Sequence, residues 1–87
     1  MRYQEVKEKV LKVIRGEADK EDFPLSGWEW PDVCAILHRE GYRKIGETPE
    51  GNVEENSQGN LLLLSFWKED YFYLRRMAKG EWHRGAV

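Results

Sequence analysis

This sequence has little of the residue types on which metal proteins and disulfide-stabilised proteins depend. Among 87 residues there are one cysteine and two histidines. The single cysteine, Cys34, cannot form an intrachain disulfide, which favours a reducing compartment. A metal site needs three or four ligands, and the spacing of Cys34, His38 and His83 matches no recurring site. We therefore expect no bound metal and no cofactor.

The chain also lacks a catalytic motif. Cys34 and His38 lie one helical turn apart, whereas a catalytic Cys–His pair normally needs a histidine from elsewhere in the fold and a third residue to orient it. No Gly-rich loop ends in the Lys-Ser/Thr pair of a phosphate-binding loop. The carboxylates occur in charged, surface-like runs, so no acid–base pair stands out. The sequence predicts a protein that is not an enzyme, with Cys34 buried as a structural residue.

Long apolar runs are missing as well. The longest is Leu61–Leu64, whereas a membrane-spanning helix needs about 20 apolar residues. The N-terminal segment has neither the apolar stretch nor the small-residue cleavage site of a signal peptide. We expect a soluble, cytoplasmic protein that does not contact a membrane. The length predicts one compact domain over residues 1–87.

Aromatic residues, in contrast, are plentiful. They make up 13% of the chain and include four tryptophans, which a disordered protein would lack. The net charge of −2 argues against a general binder of polyanions. The charge is unevenly placed, because residues 1–59 hold 9 Lys or Arg and 13 Asp or Glu, whereas residues 60–87 hold 5 and 3. Such asymmetry can steer a charged partner.

The first half of the chain predicts two helices. Apolar residues at three- and four-residue steps predict a helix over residues 2–15, ended by Gly16. It is expected to bury Val6, Val10, Val13 and Ile14. Residues 17–32 are acidic and predict a loop, with a helical turn at 18–23 as an alternative. A second helix is predicted over residues 31–40, because Pro31 suits a first helical position and Gly41 suits the end.

The second half predicts strands. A short strand is expected at residues 41–45 and a polar turn region at 46–59, with a weak strand near Val53. Residues 60–67 form the clearest strand, and 71–77 a second, with helix as the alternative over 69–79. Alternation then places two sets of side chains on opposite faces. The core face carries Leu62, Leu64, Phe66, Phe72 and Leu74. The other carries Leu61, Leu63, Trp67, Tyr71, Tyr73, Arg75 and Met77, and is apolar enough to need a helix or a partner over it.

These elements predict an α+β fold in which two N-terminal helices pack on a small antiparallel sheet, in the order α-α-β-β-β. That order resembles the arrangement of a winged helix, with residues 30–40 as the recognition helix and 47–59 as the wing. The resemblance implies DNA binding. However, Glu29 and Asp32 stand where base contacts are usual, and the glutamates of the wing would repel phosphates.

The expected function is binding of another protein through an aromatic–arginine surface, because Trp, Tyr and Arg most often anchor interfaces. A homodimer that hides the second face is one form of this. The alternative is a nucleic-acid-binding regulator of winged-helix-like architecture, in which the aromatic rings stack on bases. A third interpretation is that the aromatics simply pack beneath the first helix. The predicted partner-binding residues are Trp28, Trp30, Trp67, Tyr71, Tyr73, Arg75 and Arg76.

The size and composition of the chain also suggest a more specific role. Short single-domain proteins with no catalytic motif and uneven charge are typical of virus-encoded inhibitors of host machinery, the anti-CRISPR proteins among them. This likeness is one of type, with no motif behind it. It makes inhibition of a host protein one form of the regulatory function predicted here.

Overall fold

The computed structural model describes residues 1–82 and shows an α+β fold of two helices and one five-stranded sheet. Helix α1 spans Tyr3–Ile14 and helix α2 spans Glu29–Arg39. The strands are β1, Lys20–Pro24; β2, Arg43–Glu47; β3, Gly51–Glu55; β4, Leu61–Ser65; and β5, Tyr71–Arg76. A single 3-10 turn follows at Lys79–Glu81. Within residues 1–82 no helix has the length and apolar character needed to cross a membrane.

The strands lie in the order β1-β5-β4-β3-β2, and every neighbouring pair is antiparallel. Strands β2 to β5 are joined as consecutive hairpins, whereas β1 crosses from between the helices to pair with β5, with Phe23 opposite Phe72. The predicted class is confirmed: both helices pack against an antiparallel sheet. The strands at 60–67 and 71–77 and the weak strand near Val53 are confirmed too.

Strand β1 was not expected, and the prediction of a loop or helical turn over residues 17–32 is wrong there. The strand has the sequence Lys-Glu-Asp-Phe-Pro, and only Phe23 is buried. The other side chains of this edge strand stay at least partly exposed: Glu21 pairs with Lys9, and the Lys20 ammonium lies over the Tyr73 ring. With one buried residue it shows no apolar alternation, which is the signal from which a strand is predicted.

Helix α1 packs as its pattern predicts. Val6, Val10 and Val13 are fully buried, and Ile14 packs against the same cluster. The Lys9 ammonium lies 5.0 Å from the centre of the Phe23 ring, so the polar side of the helix also contacts β1. Gly16 follows with a φ of 79°, a left-handed conformation that suits glycine after a helix.

Helix α2 begins two residues before the predicted start. Pro31 is therefore its third residue, which is tolerated because the first N–H groups of a helix have no intrahelical acceptor. The buried Glu29 carboxylate stands at the positive end of the helix dipole and accepts a hydrogen bond of 2.7 Å from the Met1 ammonium. That hydrogen bond lowers the pKa of Glu29. The helix start is thus held by an ion pair whose carboxylate is buried and whose ammonium belongs to the exposed residue Met1.

The side of the sheet toward the helices, the inner face, carries the main core. Phe72, Leu74, Leu62 and Leu64 join the helix residues in one buried cluster, as predicted. Phe66 does not, because β4 ends at Ser65 and the Phe66 side chain is 38% exposed. Its placement in the core was wrong because alternation holds only while the strand continues.

The opposite side, the outer face, also holds buried side chains although neither α1 nor α2 covers it. Val53, Leu63 and Tyr73 are buried there, and the Tyr73 N–H donates a 2.8 Å hydrogen bond to Ser65 Oγ. The interpretation that the aromatics lie beneath the first helix is therefore wrong for Tyr73. Trp82 covers part of this face. Its ring lies against Gly46, and a Cβ added to that glycine would be 2.6 Å from Trp82 Cζ2.

Candidate functional site

The structure divides the predicted partner-binding residues among three places. One group lies where β4 ends and β5 begins, a second lies on the outer face, and the third is at the far end of β5. The first group is Trp28, Trp30, Trp67 and Tyr71; the second is Tyr73 and Arg75; the third is Arg76.

Two members of the first group, Trp30 and Trp67, line a groove of about 510 Å³, which we call the aromatic groove. It forms where the end of β1, the start of α2 and the loop after β4 meet. Its size is within the range of sites that bind small molecules. The residues that line it are Pro24, Leu25, Gly27, Trp30, Pro31, Trp67 and Glu69.

Two indole rings form a corner in the aromatic groove. The Trp30 ring packs edge-on against the core residue Phe72, with 5.0 Å between ring centres, and is thereby anchored to the core. The Trp67 ring stands at 86° to Trp30, with 5.9 Å between centres. The Trp67 side chain remains 63% exposed. One wall of the corner is thus anchored, and the other is open to an incoming group.

Exposed aromatic side chains continue beside the groove. Trp28, directly before α2, is 78% exposed, and Phe66 precedes Trp67 in the same loop. Five large apolar residues are exposed within residues 1–82. Three of them, Trp28, Phe66 and Trp67, belong to the two segments that frame the groove. Exposed apolar surface gathered in one region commonly marks an interaction site.

The rim of the groove is acidic. A shallow neighbouring pocket shares Pro24 with it and is lined also by Asp22, Phe23, Asp70 and Tyr71. Of the part of the chain that the structure describes, no Lys or Arg lines either pocket. The nearby ammonium groups of Lys20 and Lys68 lie 4.4 Å and 6.0 Å from the centre of the Tyr73 ring, which belongs to the outer face.

The second group is part of an ionic cluster on the outer face, the arginine cluster, formed by Glu50, Tyr73, Arg75 and Glu81. Arg75 donates to both carboxylate oxygens of Glu50, at 2.8 Å from Nε and 2.9 Å from Nη2. Its Nη2 also donates to Glu81 at 2.8 Å, and the Tyr73 hydroxyl donates to Glu50. The cluster joins the β2–β3 turn and the C-terminal turn to β5.

These hydrogen bonds shift the ionisation of the cluster. Those from Arg75 and Tyr73 lower the pKa of Glu50 to about 2, and Arg75 also lowers the pKa of Glu81. Burial and the Glu50 carboxylate raise the pKa of Tyr73 to about 12. Near neutral pH one guanidinium therefore faces two carboxylates, so the charge of Arg75 is already balanced.

Arg76 lies away from both the aromatic groove and the arginine cluster. It is exposed, and it lines a 280 Å³ pocket at the far end of β5 together with Tyr42 and the end of α1. Its guanidinium lies against Gly16: a Cβ added to this glycine would be 2.5 Å from Arg76 Nη1. The structure does not bring Arg76 together with the aromatic residues of the groove.

The prediction that Cys34 is buried is wrong. The α2 stripe of Val33, Ile36 and Leu37 faces the core, and Cys34, about 100° around the helix from Val33, is exposed. Partial desolvation and the nearby Glu54 carboxylate raise the pKa of its thiol, which opposes a nucleophilic role. Residues 1–82 contain no group of three or more His, Cys, Asp or Glu that could hold a metal ion, and His83 lies outside the described residues.

Sequence reasoning missed several residues that shape these sites. Pro24, Leu25 and Glu69 reach the groove from segments that were predicted as loops. Glu50 is 25 residues from Arg75 along the chain, and only the strand order brings the two together. The advance signal for the groove was the set of tryptophans Trp28, Trp30 and Trp67, which the sequence predicts as contact residues.

Comparison of the chain with protein-family models, curated proteins and solved structures found no match. The function is therefore argued from the aromatic groove and the arginine cluster.

Proposed function

We propose that this chain is a non-enzymatic binding protein that contacts another protein through the aromatic groove and the exposed aromatics beside it. The observation that carries this proposal is the exposure of Trp67 and Trp28, 63% and 78%, at the edge of an apolar groove. Tryptophan is enriched among the residues that dominate binding energy at protein interfaces. Leaving two indoles in water is otherwise unfavourable.

The groove is well suited to binding because its shape is largely preset. Trp30 rests on Phe72 in the core, and Trp67 is held against Trp30. Pro24 and Pro31 restrict the backbone on the opposite side. A surface that is ordered before binding loses less conformational entropy when the partner docks.

The other predicted contact residues take different parts in this proposal. Tyr71 lines the pocket next to the groove and extends the surface. The polar atoms of Tyr73 and Arg75 already have partners within the arginine cluster, so we assign them to support of the β2–β3 turn. Contact of Tyr73, Arg75 or Arg76 with a partner stays a prediction.

Nucleic-acid binding is the second candidate, favoured only by the exposed indoles on which bases can stack. The acidic rim disfavours it, because Glu69, Asp70 and Asp22 would repel phosphates. That the chain is a regulator, an inhibitor of host machinery or a virus-encoded protein also stays a prediction from size and composition.

The proposal is tested by affinity capture from a native lysate with three immobilised proteins. These are the wild type, the double variant Trp28→Ala/Trp67→Ala, and Tyr3→Ala, which removes an exposed aromatic at the start of α1 as a matched control. We expect a protein captured by the wild type and by Tyr3→Ala but lost from the double variant.

Two outcomes would contradict the proposal. Equal capture by all three proteins would place the binding surface elsewhere. Loss of capture after nuclease treatment, with a steep decrease as salt is raised, would support the nucleic-acid alternative instead.

A further inference from the structure

We propose that the aromatic groove binds a cationic side chain, an arginine of a basic segment in the partner protein. This inference rests on the proposed function and specifies the chemistry of the partner. It follows from three features of the groove: the corner of two indoles, the acidic groups at its rim and the lack of a cation in its lining.

The indole corner supplies the first feature. A cation is attracted to the face of an aromatic ring, and tryptophan gives the strongest attraction. The Trp67 ring is mostly exposed and stands at 86° to Trp30. A group entering the corner can therefore stack on one ring while it touches the edge of the other. A planar guanidinium is suited to such stacking.

The acidic rim supplies the second. Glu69 lines the groove itself, and Asp70 and Asp22 line the adjoining pocket. A guanidinium stacked on Trp67 can donate paired hydrogen bonds to a carboxylate beside it. Its aliphatic stem can lie along Pro24 and Leu25, as arginine stems commonly do on apolar surfaces.

The third feature is what the lining lacks. Within residues 1–82 no lysine or arginine lines the groove or the adjoining pocket. Asp22 of the adjoining pocket does have a cation beside it, because the exposed Lys20 ammonium lies 3.7 Å from its carboxylate. Glu69, which lines the groove itself, has no ion pair with another residue of the described range 1–82, whereas Glu50 and Glu81 on the outer face both bind Arg75. The charge of the groove is thus complementary to a cation supplied from outside. A purely apolar side chain would fill the corner without using this charge, and an anion would be repelled.

The test uses four capped pentapeptides, Gly-Ala-Xaa-Ala-Gly, in which Xaa is arginine, lysine, norleucine or glutamate. Binding to the wild-type protein is followed by NMR through the indole N–H signals of the tryptophans. A single side chain at an exposed site binds weakly, so peptide concentrations up to about 10 mM are required. We expect the arginine peptide to shift the signals of Trp30 and Trp67 in a saturable way, and the Trp82 signal to stay in place.

The ranking of the peptides tests the role of charge. We expect arginine to bind better than lysine, norleucine to bind at least about threefold more weakly than arginine, and glutamate to cause no shift. Glu69→Gln is expected to weaken arginine binding by about threefold and to leave norleucine binding unchanged. The matched control is Glu8→Gln, an exposed glutamate on α1, which should change neither.

Equal binding of the arginine and norleucine peptides would overturn the inference and leave an apolar groove that still fits the proposed function. So would an arginine peptide that shifts no tryptophan signal, or arginine binding that Glu69→Gln leaves intact. The lysate experiment distinguishes these failures from failure of the proposed function, because it depends on Trp28 and Trp67 whatever the partner's charge.

Discussion

The two faces of the sheet are buried by different means. On the inner face, apolar side chains from both helices pack directly on Phe72 and Leu74. On the outer face, Val53 and Leu63 are buried without a helix, beside the Trp82 ring and the arginine cluster. Hydrophobic burial involves no protonation and is not screened by salt, whereas ion pairs are affected by both. The same sheet therefore has a robust side and a side whose stability depends on conditions.

The largest effect is expected from a charge on the inner face. Val10 is fully buried, so Val10→Asp would place an unpaired carboxylate in the core and lower the free energy of unfolding by several kcal/mol, which is about the whole stability of a small domain. Gln4→Asp, an exposed change on the same helix, is the control. Circular dichroism melting curves should show a folded control and an unfolded variant. An unchanged melting temperature would show that α1 does not face the core.

A smaller loss is expected where β3 and β4 come close. A Cβ on Gly51 would lie 2.6 Å from the Ser65 Cα, a backbone atom that cannot move aside cheaply. Gly51→Ala should therefore lower stability by about 3 kcal/mol, as overpacking does. Gly80→Ala adds the same methyl group where no atom lies within 4 Å and should be nearly neutral. Equal stabilities in urea titrations would show that the two strands can separate without cost.

The arginine cluster should contribute about 1–2 kcal/mol to the free energy of unfolding. The value is kept small because the side chains are partly exposed and solvent screens their charges. Arg75→Met leaves Glu50 and Glu81 without their cation and should lower the melting temperature. The exposed Arg39→Met is the control.

The pH dependence of this loss follows from Glu50. Its pKa is about 2 in the folded protein and 4.5 ordinarily, so the unfolded chain binds more protons between these values. The contribution is complete above about pH 4.5 and decreases as the pH falls toward 2. Melting temperatures measured from pH 6 down to pH 2 should therefore converge for wild type and Arg75→Met. A constant gap would mean that Arg75 acts through packing alone.

The smallest effect is expected at Cys34, which belongs to neither face. Because the side chain is exposed, Cys34→Ala should change stability by no more than about 0.5 kcal/mol. The raised pKa of the thiol predicts slow reaction with iodoacetamide at neutral pH, with the unfolded protein in urea as the faster reference. Reaction of the folded protein faster than the reference would contradict the assigned environment.

Periodicity explains which parts of the fold could be predicted. Val6, Val10 and Val13 repeat at helical spacing, and Leu62, Leu64, Phe72 and Leu74 alternate, so the helix and the inner face follow from local pattern. Strand β1 could not be predicted, because its partner β5 is distant and only Phe23 is buried.

The sites depended on contacts that local pattern does not encode. Arg75 resembled a free surface residue until the strand order brought Glu50 beside it. The aromatic groove is assembled from three separate segments, of which the sequence indicated only the tryptophans.

The crossing of β1 has a consequence for how the groove forms. Strands β2 to β5 pair through short hairpins, whereas the β1–β5 pairing closes a loop of about 50 residues. Because non-local pairing costs more loop-closure entropy, we expect β1 to dock after the hairpins have formed. Strand β1 leads directly into Pro24 and Leu25, and the Leu25 N–H is held by the Asp70 carbonyl. One wall of the groove therefore depends on the last strand to dock. Brief release of that strand would dismantle the binding surface while the other four strands stay paired, and faster hydrogen exchange at Leu25 than in β4 would reveal it.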